Sequence, residues 1–255
     1  MMYKKTRPES KNMIIGIRPV IEAIEAGKSI DKLFIQRGIK NPQIAELMKC
    51  VTEHKIFINR VPQEKLHRLT KKVHQGVVCF ISPVEYVSLE NLVPQLFESG
   101  KIPLILILDR VTDVRNFGAI TRSAECFGVD AVVIPQTESA QVNEDAVKSS
   151  AGAIFNVSIC KEGNLLDAVN HLKDCGYSIV SCTEKSNEGF GNVDFCSPTA
   201  LILGSEGEGI SSQLLKLSDK KVAIPITGKT ASLNVSVAAG IALFEVNRFR
   251  TLNNC

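Results

Sequence analysis

Three segments of this 255-residue chain bring together residue types and spacings that could do chemistry. The first is Leu108-Asp109-Arg110-Val111-Thr112-Asp113-Val114-Arg115-Asn116-Phe117-Gly118-Ala119-Ile120-Thr121-Arg122. It leads from an apolar strand through a polar turn into a helix start, the place where open α/β sheets bind ligands. Asn116 and Arg122 lie six residues apart and are not stacked on one helical face, yet both reach a common cleft if the helix begins near Asn116. The plainer alternative is a cap at Asn116 and a solvated Arg122. The second segment is Leu203-Gly204-Ser205-Glu206-Gly207-Glu208-Gly209, with three glycines in six residues directly after an apolar strand. Such a loop lets backbone approach a ligand closely. Its two glutamates repel phosphate and tolerate a cation, which favours a positively charged or polar cofactor over a dinucleotide. A simple strand-to-helix turn, with Glu208 near the helix N-terminus, competes with that reading. The third segment runs from Ile224-Pro225 to Ser232-Leu233-Asn234 and sets two side-chain donor/acceptors at a helix start. Residues 223–230 also fit a relaxed phosphate-loop pattern ending Gly228-Lys229-Thr230. A phosphate cradle needs consecutive N–H donors in glycine-like turns, which Pro225 and Ile226 deny, so a nucleotide hydrolase ranks last.

The elements that must position these residues follow from apolar periodicity. Residues 1–11 are polar and basic and are expected to form a flexible tail. Residues 12–83 alternate helix and strand as a small α/β module. Its expected elements are a helix at Arg18–Ala26, a strand at Lys32–Ile35, a helix capped by Asn41 with Pro42 at its first position, a strand at Lys55–Val61, a short helix at Pro62–Leu69 and a strand at Gly76–Ile81. Residues 84–100 are expected as a linker carrying one helix, Leu89–Phe97. Residues 101–255 form a larger α/β unit with strands at Leu104–Leu108, Ala131–Ile134, Asn156–Ile159, Ser178–Cys182, Ala200–Leu203 and Lys221–Ile224. Several of these are apolar throughout, as in a sheet covered on both faces. The last helix, about Val235–Arg250, is expected to turn Val237, Ile241 and Phe244 inward.

Composition narrows the classes of function. The net charge of +3 divides into +9 over residues 1–83 (16 basic, 7 acidic) and −6 over residues 84–255 (14 basic, 20 acidic). A basic module joined to an acidic one points to a polyanionic partner for the first. The longest apolar run, Ile102–Leu108, is far short of a membrane span. Eight cysteines without a Cys-x-x-Cys and only four histidines argue against a zinc cage. The cysteines are expected to be reduced core thiols of a cytoplasmic protein.

Taken in order, Asn-x-Gly-x-x-x-Arg at 116–122, Leu-Gly-Ser-Glu-Gly-Glu-Gly at 203–209 and Ile-Pro…Ser-Leu-Asn-Val-Ser at 224–236 closely resemble the three motifs of the SpoU (TrmH-like) RNA ribose 2′-O-methyltransferases of the SPOUT superfamily. Met13–Val20 and His74–Val78 resemble the ends of the L30e-like substrate-binding domain that many members carry. The resemblance implies a C-terminal SPOUT domain with a deep trefoil knot, S-adenosylmethionine as cofactor, no metal and a homodimer. The whole arrangement is most similar to enzymes that methylate a guanosine ribose in 23S ribosomal RNA. Transfer RNA, a resistance-type ribosomal target and a non-catalytic RNA-binding role are the alternatives.

The same resemblance assigns residues. Asn116, Arg122, Glu206, Ser232 and Asn234 are the catalytic candidates. The arginine matching Arg122 is often given the 2′-OH proton, but a guanidinium with a pKa above ~12 is a very weak base, so a clamp on phosphate and developing alkoxide is preferred. Glu206 is expected to hold Arg122 or nearby backbone. Leu203, Gly204, Ser205, Gly207, Ile224, Ser232 and Leu233 are the cofactor candidates. Arg18, Lys71, Lys72, His74, Gln75 and Arg115 are the RNA candidates.

Overall fold

The computed structural model describes residues 12–230 and 232–255, so the tail expected at 1–11 lies outside the described residues. The chain divides into two compact units, with the boundary between Glu85 and Tyr86.

The first unit contains β1 (Met13–Ile15), α1 (Ile17–Glu25), β2 (Ile30–Gln36), α2 (Ile44–Glu53), β3 (Ile58–Val61), α3 (Gln63–Leu69) and β4 (Val77–Ile81). Its sheet has the order β1-β4-β2-β3, with β4 antiparallel to both neighbours and β3 parallel to β2. Alternation along β2 divides its side chains between two faces. Leu33 and Ile35 meet Ile17, Val20, Ile21 and Ile24 of α1 and Leu47 and Val51 of α2. Phe34 lies in a smaller cluster with Leu66 of α3. Helix α2 starts later than Asn41 and Pro42 imply. The Asn41 Oδ1 accepts from Gln43 N at 2.9 Å, making residues 41–43 a turn that precedes the helix.

The second unit runs β5 (Tyr86–Val87), α4 (Leu89–Glu98), β6 (Leu104–Asp109), α5 (Val114–Cys126), β7 (Ala131–Pro135), α6 (Glu144–Ser149), β8 (Ser158–Glu162), α7 (Leu165–Asp174), β9 (Ser178–Cys182), β10 (Thr199–Gly204), α8 (Ser212–Leu217), β11 (Lys220–Val222) and α9 (Val235–Asn253). All pairings of its seven-stranded sheet, β11-β9-β10-β6-β7-β8-β5, are parallel. Every residue of β6 is buried. Each fully buried leucine or isoleucine there contributes about 1.5–3 kcal/mol of apolar transfer free energy.

Four expectations are corrected. Residues 84–100 are more than a linker: β5 pairs with β8, and Leu89, Leu92 and Val93 of α4 join the core of the second unit. Helix α5 is capped by Asp113, whose Oδ1 accepts from Arg115 N and Asn116 N, so Asn116 lies inside the first turn. Helix α9 buries Val235, Ala239, Ala242, Leu243 and Val246 and exposes about half of Val237 and Phe244. An apolar helix offers two equally regular i, i+4, i+7 stripes, and the small-residue stripe is the one that lets it pack closely. Finally, Cys196 and Cys255 form a disulfide with Cα atoms 5.4 Å apart, so these two thiols are not free. The chain brings together cysteines 59 residues apart, a proximity that local spacing does not reveal.

Candidate active site

The carboxyl ends of β9, β10 and β11 and the start of α9 enclose a cleft of about 260 Å³. Its walls include Leu203, Ile210, Ile224, Leu233 and Val235, with Glu184 and Glu206 as the charged groups. Parallel strands end in loops at one edge of the sheet, which is why ligand sites of open α/β sheets collect there.

Gly204 ends β10, and a Cβ on it would overlap the backbone of Gly209 and Ile210. The glycine is therefore required by the loop folding back on itself. Gly209 N donates to Ser205 O at 3.0 Å to close that turn, and Gly209 takes a φ of +70°. Gly118 has a different task. A Cβ there would overlap Ser149 Oγ and lie 2.9 Å from Ala146 O, so this glycine lets α5 lie against α6.

Asn116, Glu206 and Asn234 converge although they come from three segments. Asn116 Nδ2 donates to Glu206 Oε1 at 3.1 Å, and Asn234 Nδ2 donates both to Asn116 Oδ1 at 3.1 Å and to Glu206 Oε1. Asn234 also caps α9, its Oδ1 accepting from Ser236 N at 3.0 Å. Glu206 thus holds the two asparagines and makes no hydrogen bond to Arg122 among the described residues. Six helical residues turn the chain through about 1.7 turns, which sends Arg122 to another side of α5. Arg122 is exposed there.

Of the cofactor candidates, Leu203, Gly204, Ser205, Gly207, Ile224, Ser232 and Leu233 all line the cleft. Sequence reasoning missed Cys182, Thr183 and Glu184, which also line it. The available signal was position, because they follow an expected strand at the same sheet edge. Burial pushes the Cys182 thiol up to about 12, with Glu184 adding to the effect, so it stays protonated.

The RNA candidates are sorted by their surroundings. Lys71, Lys72 and Arg115 are exposed. Arg18 is exposed but pairs with Glu22 at 3.3 Å and Glu46 at 3.1 Å. Gln75 Oε1 accepts from Ile17 N at 3.3 Å, tying the loop before β4 to the start of α1. His74 is 5% exposed, and its Nδ1 accepts from Gly76 N at 3.0 Å, so it builds the turn and is withdrawn from a surface contact.

Residues 103–244 match the model of the SpoU rRNA methylase family. The chain belongs to that family. Residues 13–87 match the family of RNA 2′-O ribose methyltransferase substrate-binding domains. A Staphylococcus saprophyticus protein named for the TrmH family of tRNA/rRNA methyltransferases is 37% identical over 238 residues, 93% of this chain and 96% of the relative. The AdoMet-bound rRNA methyltransferase of Sinorhizobium meliloti has a similar structure, with a TM-score of 0.60 and 25% identity over 92% of this chain and 86% of that one. A TrmH/SpoU tRNA-modifying enzyme of A. aeolicus gives a TM-score of 0.54 and 32% identity over 65% of this chain and 86% of that one.

Proposed function

We propose that this SpoU family member transfers a methyl group from S-adenosylmethionine to the ribose 2′-hydroxyl of a guanosine in 23S ribosomal RNA. The observation that carries the reading is the convergence of Asn116, Glu206 and Asn234 beside a cleft lined by the second and third motifs. The cleft suits the cofactor chemically. Aliphatic walls match an adenosine, and two carboxylates with no lysine, arginine or histidine among the described lining residues match a sulfonium.

When bound, S-adenosylmethionine supplies an electrophilic methyl on a positively charged sulfur. The chain's own residues must then align the ribose and stabilise alkoxide charge as its proton leaves. Asn116 and Asn234, fixed through Glu206, orient the ribose, and Ser232 adds a polar contact. The Arg122 guanidinium clamps a phosphate and the developing charge, and the base is left unassigned. Leu203, Gly204, Ser205, Gly207, Ile224 and Leu233 hold the cofactor in the loops of a C-terminal trefoil knot. The exposed Arg122, with no partner on its own chain among the described residues, favours a homodimer in which both chains border each site. The half-exposed Val237 and Phe244 of α9 favour it too. The L30e-like first unit reads RNA through Lys71 and Lys72, aided by Arg115, and a cytoplasmic location follows from that substrate.

Incubating the protein with labelled cofactor and separately purified ribosomal and transfer RNAs, then mapping alkali-resistant linkages, tests the reading. Label at one guanosine of 23S RNA is expected; label in transfer RNA would reassign the substrate, and none would refute the activity. Arg122→Ala should abolish transfer and keep cofactor affinity, while wild-type turnover would remove Arg122 from the site.

A further inference from the structure

The back of the 204–210 loop is gripped by two residues that none of the roles above uses. Strand β6 ends at Asp109, which is 4% exposed, and the next residue, Arg110, has a φ of +58°. That left-handed conformation is natural for glycine and strained for a long side chain. The arginine is held there by a set of polar contacts. Its Nε donates to Asp109 Oδ1 at 3.1 Å and its Nη2 to Gly209 O at 3.1 Å, and its Nη1 pairs with Glu208. Asp109 Oδ2 in turn accepts from Ser211 N at 2.6 Å. Asp109, Arg110 and Glu208 lie outside the cleft lining, whereas Gly204, Ser205, Glu206, Gly207, Gly209 and Ile210 are in it.

The side-chain contacts thus grip the C-terminal end of the turn that presents Glu206, at Glu208, Gly209 and Ser211, from outside the cleft lining, while Gly204 at its other end pairs with Asp109 in the β6–β10 ladder. They lie where β6 and β10 adjoin, with β7 on one side of the pair and β9 on the other, the place where the sheet's chain order reverses. Arg110 also sits between two carboxylates. It pairs with both Asp109 and Glu208 and so offsets their negative charge.

We propose that Asp109 and Arg110 are positioning residues that set the conformation of the 204–210 loop and thereby the affinity of the site for S-adenosylmethionine. The proposal rests on reading the cleft as the cofactor site. Strained backbone persists where surrounding contacts over-determine it, and such places collect at functional sites. Here the guanidinium's grip on Gly209 O, Glu208 and Asp109 is what holds the strained residue.

The strain supplies a discriminating variant. Arg110→Gly deletes the guanidinium while relaxing the backbone, so relief of strain should offset part of the stability lost with the contacts and the protein should stay folded. Calorimetric affinity for S-adenosylmethionine should fall about tenfold, since slight misplacement of a preorganised site is costly. The Gly209 and Ser211 amides should exchange faster with deuterium in the unliganded protein. Arg110→Lys should restore part of the affinity. Glu208→Gln and Arg110→Gly should be non-additive, because they act on one contact set. An Arg110→Gly protein that binds within twofold of wild type and exchanges these amides at the wild-type rate overturns the proposal. If the wild-type protein binds no S-adenosylmethionine, the cofactor reading fails, and the exchange rates still decide whether Arg110 holds the loop.

Discussion

The Asn234 side-chain amide donates to Asn116 Oδ1 at 3.1 Å, joining the first turn of α9 to the first turn of α5 across 118 residues of sequence. Glu206 accepts from both asparagines, so the three motifs meet at a single carboxylate. Asn234 has two separable duties, capping α9 and bridging to Asn116. Asn234→Ala loses both and should cost about 1–2 kcal/mol of stability, a fall of roughly 2–8 °C in melting temperature, together with methyl transfer. Asn234→Ser keeps a capping oxygen and should recover most of the stability without the activity. Wild-type turnover by the Asn234→Ser protein would show that the bridge has no catalytic part.

Gly204 tests the cofactor loop from its other end. The nearest obstacles to a side chain there are the backbone atoms of Gly209 and Ile210, which cannot swing aside as a flexible side chain would. Gly204→Val should therefore displace the loop at a cost of about 1–3 kcal/mol, the usual range for overpacking. Cofactor affinity measured by calorimetry should fall by tenfold or more, since each ~1.4 kcal/mol is one decade. Unchanged affinity would remove the loop from the cofactor site.

Much of this arrangement was legible because its signals are local. The buried strands β6, β9 and β10 stand out as apolar runs, and the motif residues fall at their carboxyl ends. Asp113 and Asn116 are both good capping types, and only backbone geometry distinguishes them, so the sequence alone does not place the cap of α5 at Asp113. The short β5 carries too few residues for periodicity to register. The larger side chains of α9 suggest one inward face, whereas close packing buries the stripe that contains Ala239 and Ala242. His74 and Gln75 read as surface RNA contacts because they follow two lysines. The His74 ring is instead buried and accepts from Gly76 N, whereas Gln75 stays exposed while its Oε1 accepts from Ile17 N. Contacts between residues distant in sequence, such as Arg110 with Glu208, leave no local pattern at all.

His74 carries a pH signature. Burial and then the neighbouring His67, whose ring centroid is 4.8 Å away, lower its pKa from the ordinary 6.5. The folded chain therefore prefers the neutral ring more than the unfolded chain does. The resulting stabilisation is complete above pH 6.5 and is lost as pH falls through the depressed folded value. The His74 imidazole resonance should titrate with a midpoint below 6.5, and His67→Ala should move that midpoint upward. A wild-type midpoint at or above the ordinary value would mean that the ring is solvated and available to RNA.

The Cys196–Cys255 disulfide should matter more to stability than to catalysis. It closes a span of 59 residues, and restricting the unfolded chain over such a span stabilises typically about 2–4 kcal/mol. The same end of α9 is held independently. Arg250 donates to Phe195 O at 2.9 Å, to Ile102 O at 2.8 Å and to Pro103 O at 3.3 Å. Reduction, or Cys255→Ser, should therefore lower the melting temperature while α9 stays docked and methyl transfer continues. Thiol titration of the unreduced protein in denaturant should count the six free cysteines, Cys50, Cys79, Cys126, Cys160, Cys175 and Cys182. A count of eight would mean that the bond is absent, and Arg250 would then be the principal tie on the end of the helix. If Cys255→Ser instead abolished methyl transfer at a temperature where the protein remains folded, the hold of Arg250 would be too weak to keep α9, and with it Asn234, in place.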